Sequence, residues 1–334
     1  MSDTTATRAD SEIEFCLARE EDYDDVMAIS HGIYSGMDYL PARYHLWMKE
    51  PHRLVFLGKR RGRVIALEST ILVDGGETVI VEGLRVAPEE RGRGVAGLIQ
   101  SHVAQFIKTY YPRVRTRRLT RGDNPGPQAL AKFRVLATRA ILTQHCEAAS
   151  VGRFIDELGV RVRLEGAGQH PPAPPPVTLQ REELRSLLLS NPGAVDKLLP
   201  ARTIIQDWQP LRPTPANLDT LETRPLSWAA DRRDGPAALV LCTAPYPIPQ
   251  GGGSLRLNLD VFGRDLPAAR RVLVFQMERV RGALRDGAAV ILNVYSDPAL
   301  WEGLRELCEG AGGVAGGVRR YREYWEQLLL ETDF

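Results

Sequence analysis

The sequence predicts a tandem of two α/β (α+β) domains, each a mixed central sheet flanked by helices. Three observations carry this. The chain has 334 residues, about twice the size of an ordinary domain. Strand-like and helix-like segments alternate in both halves. One low-complexity stretch separates the halves: Pro171, Pro172, Pro174, Pro175 and Pro176, preceded by Gly166 and Gly168. Such a run continues neither a helix nor a central strand. The expected organisation is a first domain over 1–165, a Pro-rich linker over 166–178 and a second domain over 179–334.

In the first half, Glu12–Leu17 reads as a short strand. Arg19-Glu20-Glu21-Asp22 starts a helix, with acids in the turn where the dipole favours them. Val55–Gly58 and Val64–Val73 read as strands joined by the turn Arg60-Arg61-Gly62. Asp74-Gly75-Gly76 is a hairpin signal, and Thr78–Val86 is the next strand. Val95–Tyr110 has Leu98, Val103, Phe106 and Ile107 near helical spacing. Arg117–Thr120 is a strand, Gln128–Leu136 a helix and Ala140–Thr143 a strand. The second half ends in the same order: strand Leu255–Val261, helix Pro267–Leu284, strand Ala288–Val294, helix Pro298–Leu307. Tyr321–Leu330 fits either a strand or a helix. A short echo, Leu17-Ala18-Arg19-Glu20-Glu21 against Leu179-Gln180-Arg181-Glu182-Glu183, accompanies the matching order.

Composition narrows the function. Lys and Arg total 43 against 42 Asp and Glu, a balance that argues against a dedicated nucleic-acid binder. No apolar run reaches membrane-spanning length, and Met1–Asp10 lacks the apolar stretch of a signal peptide. The four cysteines are scattered and form no C-x-x-C pair, which points to reduced thiols and a cytoplasmic location. Five of the six histidines lie in the first half and His170 in the linker, without metal-ligand spacing, so no metal is expected.

The chemistry concentrates in Val81-Glu82-Gly83-Leu84-Arg85-Val86-Ala87-Pro88-Glu89-Glu90-Arg91-Gly92-Arg93-Gly94-Val95-Ala96. A strand runs into a glycine loop that opens directly into a helix. The first amides of a helix have no internal partners and sit at the positive end of its dipole. Gly92 and Gly94 let a phosphate approach the backbone, and Arg91 and Arg93 add charge at the rim. There is no G-K-[ST], so this is not a P-loop. Gly92, Gly94 and Gly97 formally match G-x-G-x-x-G, but the strand is not the first of a βαβ unit. Arg117 and Arg118 stand where the dinucleotide fold needs an acid.

The segment resembles the acyl-CoA motif of the GCN5-related N-acetyltransferases (GNAT), [R/Q]-x-x-G-x-[G/A], at Arg91-Gly92-Arg93-Gly94-Val95-Ala96, with Leu84-Arg85-Val86 as its lead-in strand. The resemblance covers roughly residues 12–150. It implies that the amides from Arg91 to Ala96 hold the pyrophosphate of acetyl-CoA. Leu84, Arg85 and Val86 would pair with the pantetheine arm. The amine would attack the thioester directly, so the protein supplies positioning and proton transfer.

Glu82, an acid in an otherwise apolar strand, is the leading general base, and Glu68 on the neighbouring strand the second choice. Relatives carry a Tyr acid in a run like A-L-x-x-Y, but here Ala129-Leu130-Ala131-Lys132-Phe133 puts Phe133 in that slot against the cofactor. Asn124 matches a frequent Asn near the pantetheine. Tyr34, Asp38 and Tyr39 fall in the segment that lines the acceptor pocket in this family, with Tyr44 nearby.

In the second half, Leu255–Val261 leads into Phe262-Gly263-Arg264-Asp265-Leu266-Pro267. The motif is gone, and Asp265 would repel a phosphate. The expectation is a tandem GNAT-like fold whose second copy is degenerate. That layout, with the run Glu82–Leu98, resembles the vertebrate histidine N-acetyltransferase family. The resemblance implies acetyl-CoA-dependent acetylation of the α-amino group of free L-histidine. A monomer with intramolecular domain pairing, and neither a nucleic-acid nor a membrane partner, is the accompanying expectation. Acetylation of another small amine or a protein N-terminus, or a non-catalytic acetyl-CoA-binding module, stands as the alternative.

Overall fold

Apolar alternation marks the strands and apolar residues at helical spacing mark the helices in a computed structural model that describes residues 13–167, 171–284, 287–310 and 317–334. Glu12, Gly168, His170 and the stretch Met1–Asp10 lie outside the described residues. The chain forms two compact units. The first runs through Leu119 and takes in Ile248–Gln250 and Thr332–Phe334; the second comprises Thr120–Pro247 and Gly251–Glu331.

In the first unit, β1 (Glu14–Leu17), α1 (Tyr23–Ala28) and α2 (Leu40–Trp47) precede the hairpin-linked strands β2 (Arg53–Arg60), β3 (Arg63–Val73) and β4 (Thr78–Val86). Helix α3 (Val95–Tyr110) then leads to β5 (Thr116–Arg121), whose last two residues belong to the second unit. The order is β1-β2-β3-β4-β5, antiparallel until the parallel β4–β5 pair. Val95, Ile99, Val103 and Ile107 recur every fourth residue on α3 and bury one face against Leu57, Leu67 and Val79. Leu98, expected on that face, is 52% exposed.

The second unit opens with one turn of helix, α4 (Pro127–Leu130), the long β6 (Arg134–Cys146) and α5 (Val151–Gly166). Pro171–Pro176 carry neither helix nor strand. There follow β7 (Val177–Thr178), α6 (Arg181–Leu189), α7 (Pro192–Leu198), the pair β8 (Ile204–Gln206) and β9 (Gln209–Leu211), and α8 (Pro215–Glu222). β10 (Leu226–Ala230), β11 (Leu239–Pro247), β12 (Leu255–Phe262), α9 (Leu266–Val280), β13 (Val290–Ser296), α10 (Trp301–Glu309), β14 (Val318–Arg320) and β15 (Trp325–Asp333) complete it. The strands run β15-β6-β13-β12-β11-β10-β7, with β14 also on β6. Leu257, Leu259, Val272, Leu292 and Val294 form the core between this sheet and its helices.

Several expectations change. The helix expected over Gln128–Leu136 stops at Leu130, and the strand expected at Ala140–Thr143 begins at Arg134. Tyr321–Leu330 is settled as strand β15, paired antiparallel with β6. Both stretches of the five-letter echo stand at a helix start: Asp22 Oδ2 accepts from the Arg19 amide at 2.8 Å, and Glu183 Oε2 accepts from the Gln180 amide at 2.8 Å. The two caps are offset by one position in the echo, so they do not make its letters equivalent.

Candidate acyl-transfer site

The site is built on an irregularity in β4. Ser69 pairs with Glu82 and Leu67 with Arg85, so Glu68 alone opposes Gly83 and Leu84. This is a β-bulge. Gly83 has φ 72°, in the left-handed region where a side chain is costly. The bulge re-aims the strand: Arg85 turns inward and is buried, while Leu84 is turned out. Pairing between β4 and β5 covers Thr78–Ile80 against Thr116–Arg118. The bulged half of β4 runs on past that ladder, so its backbone edge is available to an extended ligand arm.

Beyond β4 the backbone enters Pro88–Glu90 and the glycine loop. Buried Glu90 takes both its oxygens to Arg60 Nη1, each at 2.6 Å, which pins the loop to the β2–β3 hairpin. Arg91 Nε donates to the Val86 carbonyl at 3.1 Å, so this guanidinium braces the end of β4. Arg93 is exposed, 3.9 Å from Glu90. Gly94, at φ 80°, precedes α3, and no side chain caps the helix. Gly92 and Gly94 have open space where a Cβ would sit. The first amides of α3 are therefore uncapped at an exposed glycine loop, which suits a pyrophosphate.

Glu82 is not the lone acid the sequence suggests. It forms an ion pair with Arg53 Nη1, which also donates to Ser69 Oγ at 2.8 Å, while Arg53 Nε bonds Glu50. The guanidinium lies 4.4 Å from the centroid of the Trp47 ring. Burial pulls the Arg53 guanidinium towards neutrality, and Glu82 and Glu50 more than offset it, leaving its pKa raised.

The segment before α2 closes over the bulge. Buried Asp38 receives Arg85 Nη1 at 2.9 Å, and the same nitrogen donates to Ser30 Oγ at 2.8 Å. Arg85 is thus neutralised within the chain, and its side chain is turned away from any ligand arm along β4. Asp38 also accepts from the Leu40 amide at 3.0 Å, so it is structural on both sides. Tyr39 stacks on Tyr34 and packs against Trp47. Its hydroxyl lies 3.4 Å from where a Gly83 Cβ would be. Burial, then Tyr34 and Glu82, hold that phenol protonated well above its ordinary range. Tyr34 is half exposed with φ 51°. Tyr44 is buried and donates to the Arg19 carbonyl at 2.6 Å, a packing role.

The remaining candidates are Glu68, Asn124 and Phe133. Glu68 follows the bulge on the other face of β3, against α3, where it lines a small pocket with Thr70, Gln100, Arg117 and Phe334. Burial pushes its carboxyl up to about 7, against the opposing pull of Gln100 and Arg117. Glu68 and Glu82 are therefore not brought together. Asn124 and Phe133 belong to the second unit. Asn124 is exposed and accepts from the Gly126 amide at 2.9 Å, a local turn bond. Phe133 follows α4 and is half-buried.

The second unit repeats the framework without the site. β12 and β13 pair in parallel through six successive positions, Leu255↔Val290 to Asp260↔Tyr295, so no opening is left between them. Asp265 Oδ1 accepts from the Ala268 amide at 2.8 Å and caps α9. The helix start that would hold a phosphate is filled by the chain's own carboxylate.

A bulged strand whose parallel pairing stops short, followed by a glycine loop and an uncapped helix start, defines an N-acetyltransferase of the GCN5-related class, here a tandem whose second copy is degenerate. The class works with a CoA-type acyl donor. A profile of the family described as "Histidine N-acetyltransferase, C-terminal" matches residues 172–297. The human protein named "Probable N-acetyltransferase 16" is 43% identical over 96% of this chain and 86% of its own length. The Xenopus tropicalis protein named "Histidine N-acetyltransferase" is 41% identical over 97% of this chain and 96% of its own. Among solved structures, a tandem GNAT protein from the clavulanic acid biosynthesis pathway superposes with a TM-score of 0.57. It is 14% identical over 96% of this chain and 98% of that one. The chain belongs to the histidine N-acetyltransferase family.

Among the described residues, no cluster of three or more His, Cys, Asp or Glu could hold a metal ion. No helix among them is long and apolar enough to cross a membrane. Sequence reasoning missed Arg53, Trp47, Glu50, Arg60 and Glu90. The pairs Arg53–Glu82 and Arg60–Glu90 join residues 29 and 30 apart, and the one available signal was an arginine at the head of an apolar strand, three residues after Glu50.

Proposed function

We propose that this chain transfers the acetyl group of acetyl-CoA to the α-amino group of free L-histidine. The observation that carries the acyl transfer is the bulge at Gly83, which sets the Glu82 carboxylate on the same strand that ends at the uncapped helix start. The acceptor rests on the names of the relatives. When bound, acetyl-CoA supplies the activated acyl group. The chain's own residues do the rest. The amides from Arg91 to Ala96 hold the pyrophosphate, and the backbone from Leu84 to Val86 orients the arm. The amine nitrogen bonds to the acetyl carbonyl carbon as that carbon's bond to sulfur breaks; Glu82 takes the amine proton through water, and the CoA thiolate leaves to be protonated by solvent, since Phe133 has no proton to give. Tyr34 and Tyr39 wall the acceptor side, and Asp38 with Arg85 anchors that wall to β4.

The same reading keeps 1–165 and 179–334 as two copies joined by 166–178, with the second copy silent. It also makes the protein a cytoplasmic monomer without a metal. Three of its four free cysteines are buried, an arrangement suited to a reducing compartment. The test is incubation of the purified chain with acetyl-CoA and a panel of free amino acids, following CoA release and product mass. Histidine is expected to outpace the others. Faster turnover of peptide N-termini, or none of any free amino acid, overturns the reading.

A further inference from the structure

We propose that Arg53 is a positioning residue for acyl transfer, acting through the carboxylate of Glu82. The inference rests on the reading of Glu82 as the base. Arg53 stands at the head of β2, with its side chain almost wholly buried. One guanidinium nitrogen reaches both Glu82 and Ser69, and another reaches Glu50. The indole of Trp47 covers the plane. A guanidinium is flat and presents its donors in a fixed fork. Clamped at two ends and stacked on a ring, it is a rigid frame rather than a mobile counter-ion.

That frame fixes where the Glu82 carboxylate points. A base that must accept a proton from an ammonium group needs that fixed direction. Among the described residues, Glu50, Asp38, Arg85, Tyr34 and Tyr39 also stand close to this point. Asp38 and Arg85 form an ion pair with each other, and Tyr39 is held protonated. Arg53 is a cation bonded to Glu82 itself.

The test is a mutant cycle of Arg53→Met and Glu82→Gln, read as kcat and KM. Arg53→Met is expected to lower kcat by about 10- to 100-fold, part of the roughly 10²–10⁴-fold that a positioned base contributes. KM for acetyl-CoA should stay within about twofold. In the Glu82→Gln background, Arg53→Met should cost nothing further. Arg53→Lys keeps the cation without the fork, so its kcat should fall as well, but by less than in Arg53→Met. Lys also serves as the measurable variant if Met prevents folding; wild-type kcat for it overturns the proposal. So does wild-type kcat in Arg53→Met, a loss confined to KM, or an equal loss in both backgrounds. Wild-type kcat in Glu82→Gln alone overturns instead the reading of Glu82 as base.

Discussion

The ring of Trp47 comes within 3.1 Å of the point where a Cβ on Gly83 would stand. This contact couples the bulge to the residue that carries Arg53. Gly83 must be glycine for two reasons, its left-handed φ and the indole at its back.

Gly83→Ala is therefore expected to cost about 2 kcal/mol or more, from the left-handed strain of a residue with a Cβ and the clash with Trp47. Relief of the strain would slide the register of β4. Donor binding should weaken along with the loss of stability. Thermal melting and titration with CoA check both. A variant that melts and binds like the wild type would show that the bulge is not tied to the donor arm.

Glu68 and Glu82 can be separated by pH. The folded Glu68 carboxyl, at about 7, lies above its ordinary 4.5 because burial disfavours the charge. Folding thus favours the protonated form. The stability it contributes is fully present below about pH 4.5 and is lost as pH rises through 7. The difference amounts to about 3 kcal/mol. Glu68→Gln should remove this dependence, raising Tm at pH 8 relative to the wild type while leaving turnover close to normal. Parallel Tm curves from pH 5 to pH 8 would contradict it, and a collapse of turnover would return Glu68 to the list of bases.

The legible parts of the fold were those fixed by neighbours in sequence. Gly92 and Gly94 between a strand and a helix announce an anion site because the three pieces adjoin. Helix α3 was placed from Val95 to Tyr110 by its spacing, though its buried stripe is Val95, Ile99, Val103 and Ile107. The bulge at Gly83 was not legible, because a bulge is a statement about two strands, and the register of β3 against β4 is not written in either. Arg53 and Glu82 are 29 residues apart, so their pairing waited on the same register. The expected helix at Gln128–Leu136 failed for a related reason. Arg134–Thr138 pair with Glu331–Leu328 of β15, and a ladder partner nearly two hundred residues away overrides local preference. The compact units likewise divide after Leu119, because β6 draws its partners from β13 and β15.

The chain also contains its own control for the phosphate loop. Gly94 leaves α3 uncapped, whereas Asp265 caps α9 through the Ala268 amide. If the uncapped amides are what bind the pyrophosphate, supplying a carboxylate there should displace it. Gly94→Asp introduces that cap into open space, with a residue that tolerates left-handed φ better than most. The fold should hold, while KM for acetyl-CoA rises at least about tenfold, because an anion already occupies the positive end of the helix. The reverse change, Asp265→Ala, should cost about 1 kcal/mol of stability through the lost cap and leave KM untouched. Both are read from one set of melting curves and initial rates. If Gly94→Asp binds the donor as tightly as the wild type, the start of α3 is not the phosphate site, whatever its glycines suggest.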